Sequence, residues 1–195
     1  MKYLQSIIIL SAAALAGCGA TSGVTTKQEE LIAPDCVFTD APQQKAPLWV
    51  CDVPIEGYEL TAVGFSEKRP TASMTSTSAR TDAGVKMSEH FATSVAALLK
   101  EYQKSVETED KSKFIVDTDM VRESLTSITL FGTKIIRSLT SPTKGQYVVL
   151  AMDKATYEAN AEKAFAALSN DDANMRKLFS DEKARERLMS LIKVK

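Results

Sequence analysis

Apolar residues recur along the chain with distinct periods, and each period marks a different kind of element. The longest is helical: Met87, Phe91, Val95, Leu98, Tyr102 and Val106 follow at steps of four, four, three, four and four, one face of a 3.6-residue repeat. Pro70 stands where a first helical turn tolerates it, so the spacing predicts a helix over about residues 71–107. Its earlier half is rich in Ser and Thr, with Ala72, Ala79, Ala83 and Gly84. Such residues are indifferent helix formers but suit close packing against a sheet.

Strand-like runs flank this helix. Leu48-Trp49-Val50-Cys51 lies between Pro47 and Pro54, and Leu60 to Phe65 follows the turn material Glu56-Gly57; both read as strands, the first an edge. Thr133–Leu139 and Gln146–Met152 are β-rich runs separated by a loop containing Pro142 and Gly145, a hairpin signal. A charged connection over 107–113 leads to a short helix, capped by Asp117 or Asp119, that carries Val121, Leu125 and Ile128 and closes near Gly132. Asp153 opens a helix with Tyr157, Ala161, Phe165 and Leu168 on one face, interrupted by Asn170-Asp171-Asp172. A final helix after Ser180 has the stripe Ala184, Leu188, Leu191 and Ile192, acids in its first turn and lysines at its end, as the helix dipole favours.

The resulting order predicts an α+β fold: a small, mainly antiparallel sheet packed on a long helix, with additional C-terminal helices. Covered on one side only, such a sheet keeps apolar surface. That surface and the stripe Leu188, Leu191 and Ile192 are expected to invite a second copy or another envelope protein.

The N-terminus fixes an address. Lys2, the apolar run from Ile7 through Ala16 and the small residues that follow form an export signal over residues 1–17, too short to cross a bilayer. It closes with Leu15-Ala16-Gly17-Cys18, which resembles the lipobox of bacterial lipoproteins, where a Cys thiol receives diacylglycerol before cleavage. Cys18 is thus the expected lipid-attachment residue. At roughly 0.8 kcal/mol per buried CH₂, more than one acyl chain makes a stable anchor. Gly19 and Ala20 replace the Asp that commonly retains lipoproteins in the inner membrane, so the periplasmic face of the outer membrane is the expected location. Residues 18–47, rich in Thr, Ser, Gln, Pro and Ala, read as a lipidated flexible tether. The domain is expected over 48–168 and a helical extension over 169–195. Cys36 and Cys51 remain as an even pair in an oxidising compartment; a disulfide closing a loop of about 15 residues and two free thiols both fit.

Charge and composition narrow the chemistry. Lys and Arg total 24 against 25 Asp and Glu, which lacks the basic excess of a nucleic-acid groove; no nucleic-acid partner is expected. A single His and scattered Cys leave no metal or triad constellation, so neither catalytic residues, cofactor nor metal is assigned. His90 reads as a surface or boundary histidine. Asp117 with Asp119, and Asp171 with Asp172, read as helix caps rather than acid–base pairs. Trp49, the one Trp, reads as a core or edge anchor or as an exposed interaction residue. Arg80, placed on the sheet-facing half of the long helix, needs a carboxylate, carbonyls or a ligand there.

Several of these features together resemble the family of twenty-kilodalton membrane-associated lipoproteins, the Lpp-twenty family, which includes flagellar outer-membrane lipoproteins. The matching pieces are the lipobox ending at Cys18, Pro47-Leu48-Trp49-Val50, Ala62-Val63-Gly64, Ala79-Arg80 with Ala83, and Tyr147-Val148-Val149-Leu150-Ala151, spanning about residues 47–168. The resemblance implies an α+β domain, outer-membrane anchorage, no catalysis, and a structural role in rings or disks around the flagellar motor. The rival reading is a periplasmic binding module that regulates a peptidoglycan synthase.

Overall fold

The computed structural model describes residues 36–106 and 115–194. The export signal, Cys18, the 19–35 stretch and the 107–113 connection lie outside the described residues. The elements are β1 (Val37–Phe38), β2 (Ala41–Lys45), a 3₁₀ turn (Leu48–Cys51), β3 (Leu60–Ser66), α1 (Ala72–Ser105), α2 (Thr118–Thr126), β4 (Lys134–Thr140), β5 (Gln146–Met152), α3 (Lys154–Asp171), α4 (Ala173–Ser180) and α5 (Glu182–Val194). The architecture is α+β, with the long helix packed on an antiparallel sheet.

That sheet has the order β3-β5-β4, which puts β5 in the middle with Val148 opposite Gly64 and Val149 opposite Val63. A central strand is covered on both faces, and Tyr147 to Met152 are all buried. Alternate residues serve the two sides. Ala62 and Leu150 meet Ala83 and Met87 of α1. Gly64 lets the helix come down onto the strand, because a Cβ there would lie 2.1 Å from the Ala79 carbonyl oxygen and 2.2 Å from the Ala83 nitrogen. Thr71 caps α1 by accepting from the Met74 N–H at 3.2 Å.

The opposite face of the sheet is covered as well, which corrects the expectation of a half-bare sheet. Cys36, Phe38, Ala46, Trp49 and Val50 pack on Val63, Tyr147 and Val149, with Phe65, Ile136 and Leu139 alongside. Residues 36–47 therefore belong to the folded domain and not to a tether, and the fold begins before Leu48. Leu48–Cys51 is a 3₁₀ turn instead of a strand. Pro47 precedes it, and Asp52 adopts φ 56°, sending its N–H back to the Trp49 carbonyl at 3.3 Å. The chain bends there so that Trp49 and Val50 both reach the sheet.

The second half of α1 builds a helical core. Phe91, Val95, Leu98, Leu99 and Tyr102 pack with Tyr157, Phe165, Met175, Leu178, Leu188 and Ile192. The C-terminal helices are thus part of the domain core and not an extension of it. Asp153 caps α3 through the Thr156 N–H at 2.8 Å. Asp172 both ends α3 and caps α4, accepting from the Met175 N–H at 2.7 Å. That dual role turns the expected interruption into a tight corner with an additional helix after it.

Candidate functional site

The N-terminal cover and the strand beneath it form one continuous structure. Cys36 and Cys51 are joined by a disulfide with their Cα atoms 5.9 Å apart. The bond closes the loop that contains β1, β2 and the 3₁₀ turn, so the point where the chain enters the described domain is tied to the start of the Asp52 bend. Asp52 then reaches the outer edge of β3, where its carboxylate accepts the Val63 N–H at 3.2 Å.

Side chains close the rest of that edge. Thr61, Val63 and Phe65 turn backbone polar groups away from β5, and α1 answers them in register one turn apart. Asp82 accepts the Phe65 N–H at 2.9 Å, Lys86 donates to the Val63 carbonyl at 3.0 Å, and the His90 Nδ1 lies 3.2 Å from the Thr61 carbonyl. Lys86 and Asp82 also pair with each other at 3.0 Å. An open edge would be a template for another strand, and these groups occupy it. His90 is therefore an exposed edge residue whose Nδ1 faces a backbone carbonyl.

At the far end of the cover, the Tyr147 hydroxyl is the centre of a polar network. It lies 2.7 Å from the Thr39 hydroxyl, accepts the Thr39 N–H at 3.2 Å and donates to Asp40 at 3.0 Å. Thr143 donates to the other Asp40 oxygen. The network links the β1–β2 turn to the β4–β5 turn. Partial burial alone would raise the Asp40 pKa, but hydrogen bonds from Ser141, Thr143 and Tyr147 outweigh it and hold the carboxyl below its ordinary value of 3.8. Burial pushes the Tyr147 phenol above 10.0, opposed by the Thr39 hydrogen bond and reinforced by the Asp40 charge.

The residues singled out by sequence lie apart. Cys18 lies outside the described residues. Trp49 is 5% exposed, so it anchors the cover and is not displayed to a partner. Arg80 is exposed on the solvent side of α1: its neighbour Ala79 takes the sheet-facing position, and one residue rotates a helix by about 100°. Leu188 and Ile192 are fully buried and Leu191 is half-buried against the same core, so this stripe serves its own domain. Asp117 caps α2, accepting the Asp119 and Met120 N–H groups at 2.9 and 3.2 Å. Among the described residues no group of three or more His, Cys, Asp or Glu is placed to hold a metal ion.

One surface escaped the sequence reading. The outer side of α1 forms an open groove of about 390 Å³ with the segment after α2, lined by Thr81, Gly84, Val85, Ser88 and Leu130. It carries no charged residue. Val85 is 54% exposed and Met74, on the same side of the helix, 52%. Thr81 and Ser88 donate their hydroxyls into their own helix, to Thr77 and Gly84 carbonyls at 3.0 and 3.2 Å. A Cβ on Gly84 would meet nothing within 4 Å. Gly84, read from the sequence together with Ala79 and Ala83 as suited to packing on the sheet, faces this outer groove instead.

The chain matches no protein-family model, no curated protein and no solved structure. No described helix is long and apolar enough to cross a membrane.

Proposed function

We propose that this protein is a non-enzymatic lipoprotein, held by acyl chains on Cys18 at the periplasmic face of the outer membrane, that acts as a structural or assembly subunit of a cell-envelope machine. The observation that carries the reading is the Leu15-Ala16-Gly17-Cys18 sequence, followed in the same chain by a domain that holds the Cys36–Cys51 disulfide. Disulfides form and persist in exported chains, as a lipid-anchored periplasmic domain requires. The resemblance to the Lpp-twenty family supports a flagellar setting for the machine.

With the C-terminal stripe and both sheet faces occupied, the groove on α1 becomes the surface of choice for a subunit contact. The Thr81 and Ser88 hydroxyls are already satisfied within the helix, so that side of the groove can lose water without orphaning them. Exposed Met74 and Val85 supply apolar area, and Gly84 lets another backbone approach. A structural subunit works by self-association or by docking to a fixed partner. Sedimentation of the full chain in detergent at micromolar concentration is expected to show a species larger than one protomer. A strictly monomeric protein would overturn the self-associating form of this reading.

A further inference from the structure

We propose that residues 36–51 form a redox-held cover: the Cys36–Cys51 bond joins the two ends of this segment, and its reduction lets the segment lose its own fold and come off the sheet, uncovering Val63, Tyr147 and Val149 while the rest of the domain stays folded. The packing is divided in the way such a device needs. The cover belongs to an apolar cluster of its own, which shares no buried residue with the helical core formed by the second half of α1 and the C-terminal helices.

The cover cannot easily hold itself. Its regular structure is the pair β1–β2, two and five residues long, and one 3₁₀ turn of four residues, and no residue of β2 is buried. An isolated two-stranded hairpin is marginal in water. What keeps this one in place is Trp49, Phe38 and Val50 on the sheet, the Tyr147 network at the far turn, the Asp52 bond to Val63, and the disulfide. Three of these depend on one another, because the disulfide fixes Cys51, and Cys51 fixes both its neighbour Val50 and its neighbour Asp52.

The bond is also reachable. Residue Cys51 is exposed whereas Cys36 is 3% exposed, so an external thiolate approaches the bond from the Cys51 side. With a dithiol as reductant, its thiolate attacks the Cys51 sulfur, the S–S bond breaks and Cys36 leaves as a thiolate that takes up a proton. The second thiol of the reductant then displaces Cys51, which is also protonated, and the reductant departs as a disulfide, having supplied two electrons and two protons. The Pro47 carbonyl lies 3.3 Å from the Cys36 sulfur and gives the new thiol an acceptor for as long as the cover stays down.

The test uses the full chain, oxidised, before and after treatment with dithiothreitol, and its Cys51→Ser variant. Trp49 is the one Trp in the sequence, so its emission reports the cover alone. Alkylation of Cys36, read by peptide mass, reports opening, and hydrogen exchange in α1 reports the domain. Loss of the cross-link is expected to lower the closed-to-open ratio by about a hundredfold. The expected result is a red-shifted Trp49, rapid Cys36 alkylation and unchanged α1 protection in both the reduced protein and the variant. Two results would overturn the latch: Trp49 emission and Cys36 resistance that stay as in the oxidised protein, or α1 protection lost together with the cover.

Discussion

Gly64 and Ala79 meet across the helix–sheet interface so closely that a Cβ on Gly64 would stand 2.1 Å from the Ala79 carbonyl oxygen. The obstacle is backbone, which cannot swing aside. Gly64→Ala is therefore expected to push α1 off β3 and destabilise the protein by about 3 kcal/mol, the upper range for overpacking. Gly84→Ala is the internal contrast: it faces open space in mid-helix, so the gain in helix propensity should stabilise the protomer by about 0.5–1 kcal/mol. Urea denaturation of the two variants should move the midpoint in opposite directions.

Asn160 gives a second prediction. Its buried amide accepts the Phe131 N–H at 3.1 Å and donates to the Phe131 and Thr156 carbonyls at 3.0 and 2.8 Å, clamping the loop before β4 onto α3. Leucine fills a similar volume but satisfies none of these groups. Asn160→Leu is expected to cost about 2 kcal/mol and to release the Phe131 amide to hydrogen exchange while β5 stays protected.

The polar network under the cover makes stability depend on pH at both ends. Asp40 is held below 3.8 in the folded protein, so its contribution is complete above the unfolded value and is lost as pH falls through the folded one. The hydrogen bonds from Thr156 lower Asp153 in the same sense. Burial raises Tyr147 and Tyr157 above 10.0, the latter against the Ser94 hydrogen bond. Their contribution is complete below the unfolded value and is lost as pH rises through the folded ones. Asp40→Asn should flatten the acid limb of a stability profile and Tyr157→Phe the alkaline limb. Limbs identical to the parent protein would remove these groups from the account.

Val85→Glu places a charge in the uncharged groove on α1. Val85 is 54% exposed, so the protomer itself should change in stability by no more than about 0.5 kcal/mol. A subunit contact there would have to desolvate the new carboxylate, and association is expected to weaken at least tenfold. Sedimentation equilibrium of the two proteins measures this; unchanged association would move the contact elsewhere.

The elements that sequence patterning located well are those with one strong period. The steps from Met87 to Val106 and the β4–β5 hairpin appear within a residue or two of their expected bounds. The cover was illegible because Ala41–Lys45 shows no apolar alternation: it is a strand held by its hairpin partner and a distant disulfide, with nothing buried to announce it. Leu48–Cys51 was misread because an apolar tetrapeptide looks the same whether it is extended or coiled, and the left-handed Asp52 that decides the matter has no sequence signal of its own. α4 was hidden by having only Met175 and Leu178 to bury. Among the candidate site residues, Arg80 differed through a single helical step, whereas Leu188 and Ile192 differed because a narrow stripe reads alike for an internal and an external contact.

The claim on which the functional account stands is the lipid on Cys18, and intact mass with N-terminal peptide sequencing of the membrane fraction tests it directly. The account predicts a chain that starts at Cys18 and carries diacylglycerol on its sulfur with an acyl group on its amine. A chain that retains residues 1–17, or one that starts at or beyond Cys18 without the lipid, would contradict it.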